Sequence, residues 1–144
     1  MIKVKDVLQQ KGDDFYSVRS NDSINDALNL LEHKDVGALM VIDEEKIIGM
    51  FSERDYTRKS KKNCGECSKV SDFMSTQIIV VNPDTTINEC MALITQKRVR
   101  HLPVLDKNEI KGLVSIGDIV NAIIKEQDVT IKDLENYIIG SYGA

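Results

Sequence analysis

An internal repeat constrains this chain more than any other feature. Displaced by 63 positions, Gly49-Met50-Phe51-Ser52-Glu53-Arg54-Asp55 falls on Gly112-Leu113-Val114-Ser115-Ile116-Gly117-Asp118. Both segments read glycine, two apolar residues, serine, two variable positions, aspartate. In the same register Val41-Ile42-Asp43 falls on Val104-Leu105-Asp106, Asp22-Ser23-Ile24-Asn25 on Thr85-Thr86-Ile87-Asn88, and Val18 on Val81. Nearer the N-terminus the register slips by three, and Val4-Lys5-Asp6-Val7-Leu8 falls on Val70-Ser71-Asp72-Phe73-Met74. The first repeat therefore carries a short insertion around Gln10 to Asp13. A unit of about 60 residues encloses little interior by itself, and a repeated unit needs its neighbour to complete a core. Two copies can bury their sheets against each other about a pseudo-twofold axis.

Each repeat predicts the same elements. A short strand ends at Val18 or Val81. A helix follows, with Ser23 or Thr86 at its N-cap and an apolar stripe at Ile24, Ala27, Leu28 and Leu31, or at Ile87, Cys90, Met91 and Ile94. Two strands come next, Ala38 to Asp43 and Ile47 to Phe51, joined by a tight polar turn; the second copy is Leu102 to Asp106 and Ile110 to Val114, with Lys107-Asn108-Glu109 between. A second helix follows each Ser-x-x-Asp, marked in repeat 2 by Ile119, Val120, Ile123 and Ile124. The boundaries are 1–62 for repeat 1, 63–69 for a linker, 70–128 for repeat 2 and 129–144 for a C-terminal helix and tail. The link from Arg58 to Lys69 is helix-poor, polar and basic and is expected to be exposed. Val129 to Ile139 reads as a last amphipathic helix with Thr130 as candidate N-cap. Its apolar side serves either the core or a second copy of the chain, and both readings stay open.

Composition narrows the function classes. Hydrophobic residues make up 42% of the 144, but aromatics only 5% with no Trp, so the core must be aliphatic. The 19 basic and 23 acidic residues leave a net charge of −4, which gives no bulk attraction for nucleic acid or an anionic membrane. No apolar run approaches the roughly 18 residues of a membrane helix. Charge in Met1-Ile2-Lys3-Val4-Lys5-Asp6 interrupts any signal-peptide core, so a cytoplasmic location is expected. Three cysteines, an odd number, do not suggest a disulfide framework.

Tandem β-α-β-β-α units with G-h-h-S-x-x-D at the end of the third strand resemble the cystathionine-β-synthase (CBS) domain family. The resemblance covers Val4 to Lys125 and includes Val80-Val81-Asn82-Pro83-Asp84-Thr85-Thr86 and Arg98-Val99-Arg100-His101-Leu102-Pro103-Val104. One such motif is weak; the same ordered set twice at fixed separation is specific. Ser52-Glu53-Arg54-Asp55 and Leu134-Glu135-Asn136-Tyr137 are similar to a subgroup of stand-alone CBS pairs. The resemblance implies an α+β fold of two CBS repeats, a Bateman module. It also implies regulatory binding of an adenosyl ligand: AMP, ADP, ATP, NAD(H) or S-adenosylmethionine, with AMP and NAD foremost. It further implies a homodimer without catalytic machinery, sensing energy or redox state and signalling to an effector protein through a conformational change.

The residues themselves suit a ribonucleotide. One carboxylate can accept from both vicinal hydroxyls of a ribose, and a serine at a strand-to-helix junction, with the free N–H groups there, suits a ribose or phosphate oxygen. Standing alone, Ser-x-x-Asp is first a helix-capping pattern; its repetition after an aliphatic strand favours a ligand role, and the two coexist. Carried over by resemblance, one site combines Ser52, Arg54 and Asp55 with Ile78, Ile79, Arg100, His101 and Pro103. Ile78 and Ile79 would flank adenine, and Arg100 and His101 would reach phosphate, where a guanidinium fork binds in bidentate fashion. The other combines Ser115, Ile116 and Asp118 with Phe15, Tyr16, Val36, Gly37 and Ala38. Gly37 and Ala38 stand where repeat 2 has Arg100 and His101, so this second site is expected to lack local phosphate cations and the two sites to be unequal.

Other features compete. Cys64-Gly65-Glu66-Cys67 supplies half of a tetrahedral zinc site or a redox pair, without the second pair that zinc needs; Cys90 belongs to a helix's apolar stripe. The run Arg58, Lys59, Lys61, Lys62 reads as a solvated linker or a contribution to an anion site. An enzyme would need a nucleophile, a base and an orienting group; His101 near Ser52 is the nearest approach, and the rest of the set is missing from the sequence. A ligand-free interaction adaptor and a thiol- or zinc-linked regulator are the alternatives to the nucleotide sensor.

Overall fold

A computed structural model describes residues 1–60 and 68–142. The elements run α1 (Val4–Lys11), β1 (Ser17–Val18), α2 (Ile24–Lys34), β2 (Ala38–Asp43), β3 (Lys46–Ser52), α3 (Glu53–Ser60), α4 (Val70–Phe73), α5 (Ile87–Lys97), β4 (His101–Asp106), β5 (Glu109–Ser115) and α6 (Ile116–Tyr142). They form two compact units, Asp14–Ile79 and Met1–Asp13 with Val80–Ala144. Packing units and sequence repeats thus differ by one exchanged helix. The segment leading into α1 bonds to the repeat-2 helix start through Val4 N to Thr85 O and Ile87 N to Ile2 O. The segment leading into α4 does the same for repeat 1, through Ile24 N to Ser68 O and Val70 N to Asp22 O.

In the unit 14–79, β1 pairs parallel with β2, and β2 pairs antiparallel with β3, Ala38 opposite Ser52. The hairpin turn places Glu44 and Glu45 both at positive φ (50° and 64°). Two consecutive left-handed residues give a turn whose twist matches the strands. Val18, Ile24, Ala27, Leu31, Leu39, Val41, Phe51, Val70 and Phe73 form the core, and the Tyr56 ring lies 5.1 Å from that of Phe73. The scarcity of aromatics leaves this core mainly aliphatic, as composition requires.

The other unit repeats the plan. The β4–β5 hairpin sets His101 opposite Ser115, with Lys107 and Asn108 at φ 51° and 66° in its turn. The strand expected to end at Val81 reduces to a single parallel bridge with Val104. Val4, Val7, Leu8, Ile87, Cys90, Ile94, Leu102, Val104, Val114 and Ile119 are buried. Ser23 and Thr86 cap α2 and α5, accepting from Asp26 N and Glu89 N.

Two further local expectations need correction. Arg58 and Lys59 belong to α3, so the link is helical at its start; Cys64, Cys67, Lys61 and Lys62 lie outside the described residues. No helix begins at Thr130: α6 is continuous from Ile116 to Tyr142, and the Thr130 hydroxyl donates back to Glu126 O within it. With its hydroxyl bonded to the carbonyl one turn back, the threonine continues the helix and does not cap a new one. No helix among the described residues is long and apolar enough to cross a membrane.

Candidate functional site

Both Ser-x-x-Asp motifs sit at the same kind of corner. A strand delivers the serine, a helix starts at the next residue, and the aspartate occupies its third position. At the first corner Ser52 N and Oγ both donate to Asp55 Oδ2 at 3.0 Å, and Asp55 N donates to Ser52 Oγ at 3.3 Å. At the second, Ser115 N donates to Asp118 Oδ2 at 2.9 Å and Asp118 N to Ser115 Oγ at 3.1 Å. These are reciprocal capping bonds, so the capping reading of the motif holds at both. Capping also fixes the carboxylate's orientation. It uses only part of the roughly four acceptor positions that a carboxylate offers, so the aspartate can serve a ligand as well.

The glycine that opens each motif has a packing cause. A β-carbon on Gly49 would stand 2.8 Å from Ser75 O, because Met50 and Ser75 exchange backbone bonds of 2.9 and 2.8 Å where the chain leaves α4. A β-carbon on Gly112 would stand 2.9 Å from a methyl of Leu8 on α1. In each unit the short helix ahead of the opposite repeat lies over the strand that delivers the serine, and glycine admits it.

The remaining predicted residues fall into two groups. In the unit 14–79, Ala38 is buried opposite Ser52 and Val36 N donates to Leu31 O. Gly37 is exposed and Phe15 half-buried. Tyr16 O accepts from Met40 N, and Lys34 Nζ stands 5.2 Å over the Tyr16 ring. Ile78 and Ile79 are half-buried and Arg54 is exposed on α3. In the other unit, His101 lies opposite Ser115, Ile116 N donates to exposed Arg100's carbonyl, and Pro103 is buried within β4. Hence Arg100 and His101 are close neighbours of Ser115 and Ile116. Each grouping carried over by resemblance draws residues from both units.

The residue that sequence comparison missed is Lys11. Its Nζ donates to Asp118 Oδ2 at 2.7 Å and to Leu113 O at 2.9 Å. The Asp118 carboxylate therefore has a cation beside it, which the comparison of Gly37 and Ala38 with Arg100 and His101 did not reveal. The Asp118 carboxyl is pushed up by partial burial, yet the Lys11 ammonium and the Ser115 bonds outweigh this and hold it below the usual carboxylate value. The cause is helix length. α1 has 8 residues and α4 has 4. The extra turn, ended by Gly12 at φ 92°, carries Lys11 to the corner. At the Asp55 corner the corresponding Oδ2 accepts from Ser52 N and Ser52 Oγ. The insertion at Gln10 to Asp13 was the visible signal; what it reached depended on the fold.

The CBS domain model matches residues 4–62 and 70–125. The chain is 33% identical over 150 residues to the mitochondrial CBS domain-containing protein CBSX3 of Arabidopsis thaliana, covering 96% of this chain and 73% of that one. Among solved structures it is similar to the CBS domain protein NE2398, with 41% identity, a TM-score of 0.79, and coverage of 85% and 97% of the two chains. It is also similar to CBSX2 in complex with AMP, with 26% identity, a TM-score of 0.73, and coverage of 88% and 99%. Two matched repeats of α+β architecture, each ending a strand in a capped Ser-x-x-Asp, place this chain in the CBS-domain family as a tandem CBS pair.

Proposed function

We propose that this chain is a regulatory binder of adenine nucleotides, with AMP as its ligand, and not an enzyme. The observation that carries this reading is the pair of corners, each holding a carboxylate in fixed orientation beside a serine and a helix start. That arrangement offers acceptors to the two hydroxyls of a ribose and donors to an oxygen. The likeness to CBSX2, whose structure contains AMP, supports the same ligand class. By the resemblance, aliphatic Ile78 and Ile79 would offer adenine an apolar contact.

Signalling follows from linkage. A ligand that prefers one arrangement of the chain shifts its population, and an effector protein reads the shift. A homodimer is part of this proposal. The far half of α6 exposes Ile131, Leu134, Tyr137 and Ile138, a spacing of three to four that suits a second copy of the same helix. Ile131→Asp with Leu134→Asp should then convert dimer to monomer in sedimentation; an unchanged mass removes the dimer contact from the proposal.

The central test is thermal stabilisation by AMP, ADP, ATP, NAD, NADH and S-adenosylmethionine. At a hundred times Kd a folded-state ligand contributes about 2.7 kcal/mol. AMP should raise Tm by several degrees, and Asp55→Asn combined with Asp118→Asn should abolish the rise. No rise with any of the six favours the adaptor reading. A rise that survives loss of both aspartates, and is lost with Cys64→Ala, favours the thiol-linked one.

A further inference from the structure

We propose that Lys11 determines the specificity of the Asp118 corner, making it select phosphorylated adenosyl ligands over uncharged ones. This rests on the reading of Asp118 as a ribose acceptor and adds to it. Alone, a carboxylate that binds a ribose also repels the 5′-phosphate attached to that ribose. The two charges are separated by roughly the 8 Å over which salt screens, so their repulsion is only partly damped. Lys11 removes this conflict. Its ammonium contacts Asp118 Oδ2 at 2.7 Å and is anchored by a second bond to Leu113 O at 2.9 Å. Its side chain is 34% exposed and that of Asp118 23%, so the pair is half-shielded yet open to a ligand.

Asp118 Oδ2 accepts from Lys11 and Ser115 N, two of about four acceptor positions on the carboxylate, which leaves capacity for a diol. Lys11 therefore need not leave for a ribose to bind. It stays as a neutralising charge at the ribose and an attractive one toward phosphate. The Asp55 corner is the internal control. It has the same reciprocal backbone capping bonds, but its Oδ2 accepts its second bond from Ser52 Oγ where Asp118 Oδ2 accepts from Lys11.

The test uses the full chain with Asp55→Asn, so that only the Asp118 corner retains its ribose carboxylate. AMP and adenosine are titrated calorimetrically into this protein and into the same protein carrying Lys11→Met, Lys11→Arg or Asp118→Asn. Lys11→Met should lower the ratio of AMP to adenosine affinity about tenfold, chiefly by weakening AMP, as expected for loss of one charge-assisted contact. Lys11→Arg should keep the ratio near its starting value. An unchanged ratio in Lys11→Met, or equal losses for both ligands, overturns the proposal, because a residue that only props up α1 would weaken both alike. If Asp118→Asn alters neither titration, the ribose reading of this corner fails and the proposal falls with it.

Discussion

The two Ser-x-x-Asp corners share their motif, their strand-to-helix junction and their capping bonds. They differ in what the preceding short helix brings to them. At Asp118 an eight-residue helix ends in Lys11, and at Asp55 a four-residue helix ends a turn earlier. Local sequence builds the same carboxylate twice, and a distant segment gives each its own electrostatic surroundings. A repeat is therefore a poor guide to equal chemistry when the variable part lies outside the motif. In this chain the variable part is a short insertion at the end of α1.

The comparison can be broken most forcefully at its glycines. Gly49→Ala should cost about 3 kcal/mol, because the new methyl meets the backbone carbonyl of Ser75, which is fixed by its own ladder bonds. Gly112→Ala should cost about 1 kcal/mol, because it meets the end of the Leu8 side chain, which can turn aside. Calorimetric melting of the two variants checks the order; equal losses would show that both crossings are equally rigid. The helix caps come next. Ser23→Ala and Thr86→Ala should each lower stability by about 1 kcal/mol, measured by urea unfolding. Losses near zero would mean that the caps are replaced by water.

The smallest effect is the sharpest probe of the asymmetry. The Asp118 carboxyl is held below its usual value in the folded chain. Its contribution to stability is therefore fully present above the unfolded value near pH 4 and is lost as pH falls through the lower folded value. Lys11→Met should reduce that contribution by less than about 1 kcal/mol, the scale of a partly exposed pair. Carbon-detected titration of the carboxyl should show its midpoint rising in the variant. An unmoved midpoint would break the distinction between the corners. Cys90 offers a control in the core. Burial, aided by the Glu89 charge, pushes its thiol up to about 11, so it should resist alkylation in the native state at pH 8.

Much of this was legible in the residues. The strand Ala38–Asp43 was placed to the residue, the hairpin strands Lys46–Ser52 and Glu109–Ser115 extend the expected ones by one residue at each end, and Ser23 and Thr86 cap as predicted. These depend on period, turn chemistry and capping, which act over a few residues. The continuous α6 and the weak strand at Val81 were misjudged for one reason: each depends on its surroundings. A capping-type threonine has no effect where helix continues on both sides, and an extended segment becomes a strand only if a partner edge accepts it. Lys11 was missed because its role depends on 107 residues of chain separation, which no local pattern records.

By itself the sequence determined that two like units exist, which side of α2 and of α5 is buried, and that each repeat ends a strand in a Ser-x-x-Asp motif. Short-range forces act within a repeat and act the same way twice. Tertiary structure alone decided that each unit borrows the short helix ahead of the other repeat, and that one aspartate has a lysine beside it. Those outcomes are set by where a helix end arrives in space, and the charges meet only once the chain has packed.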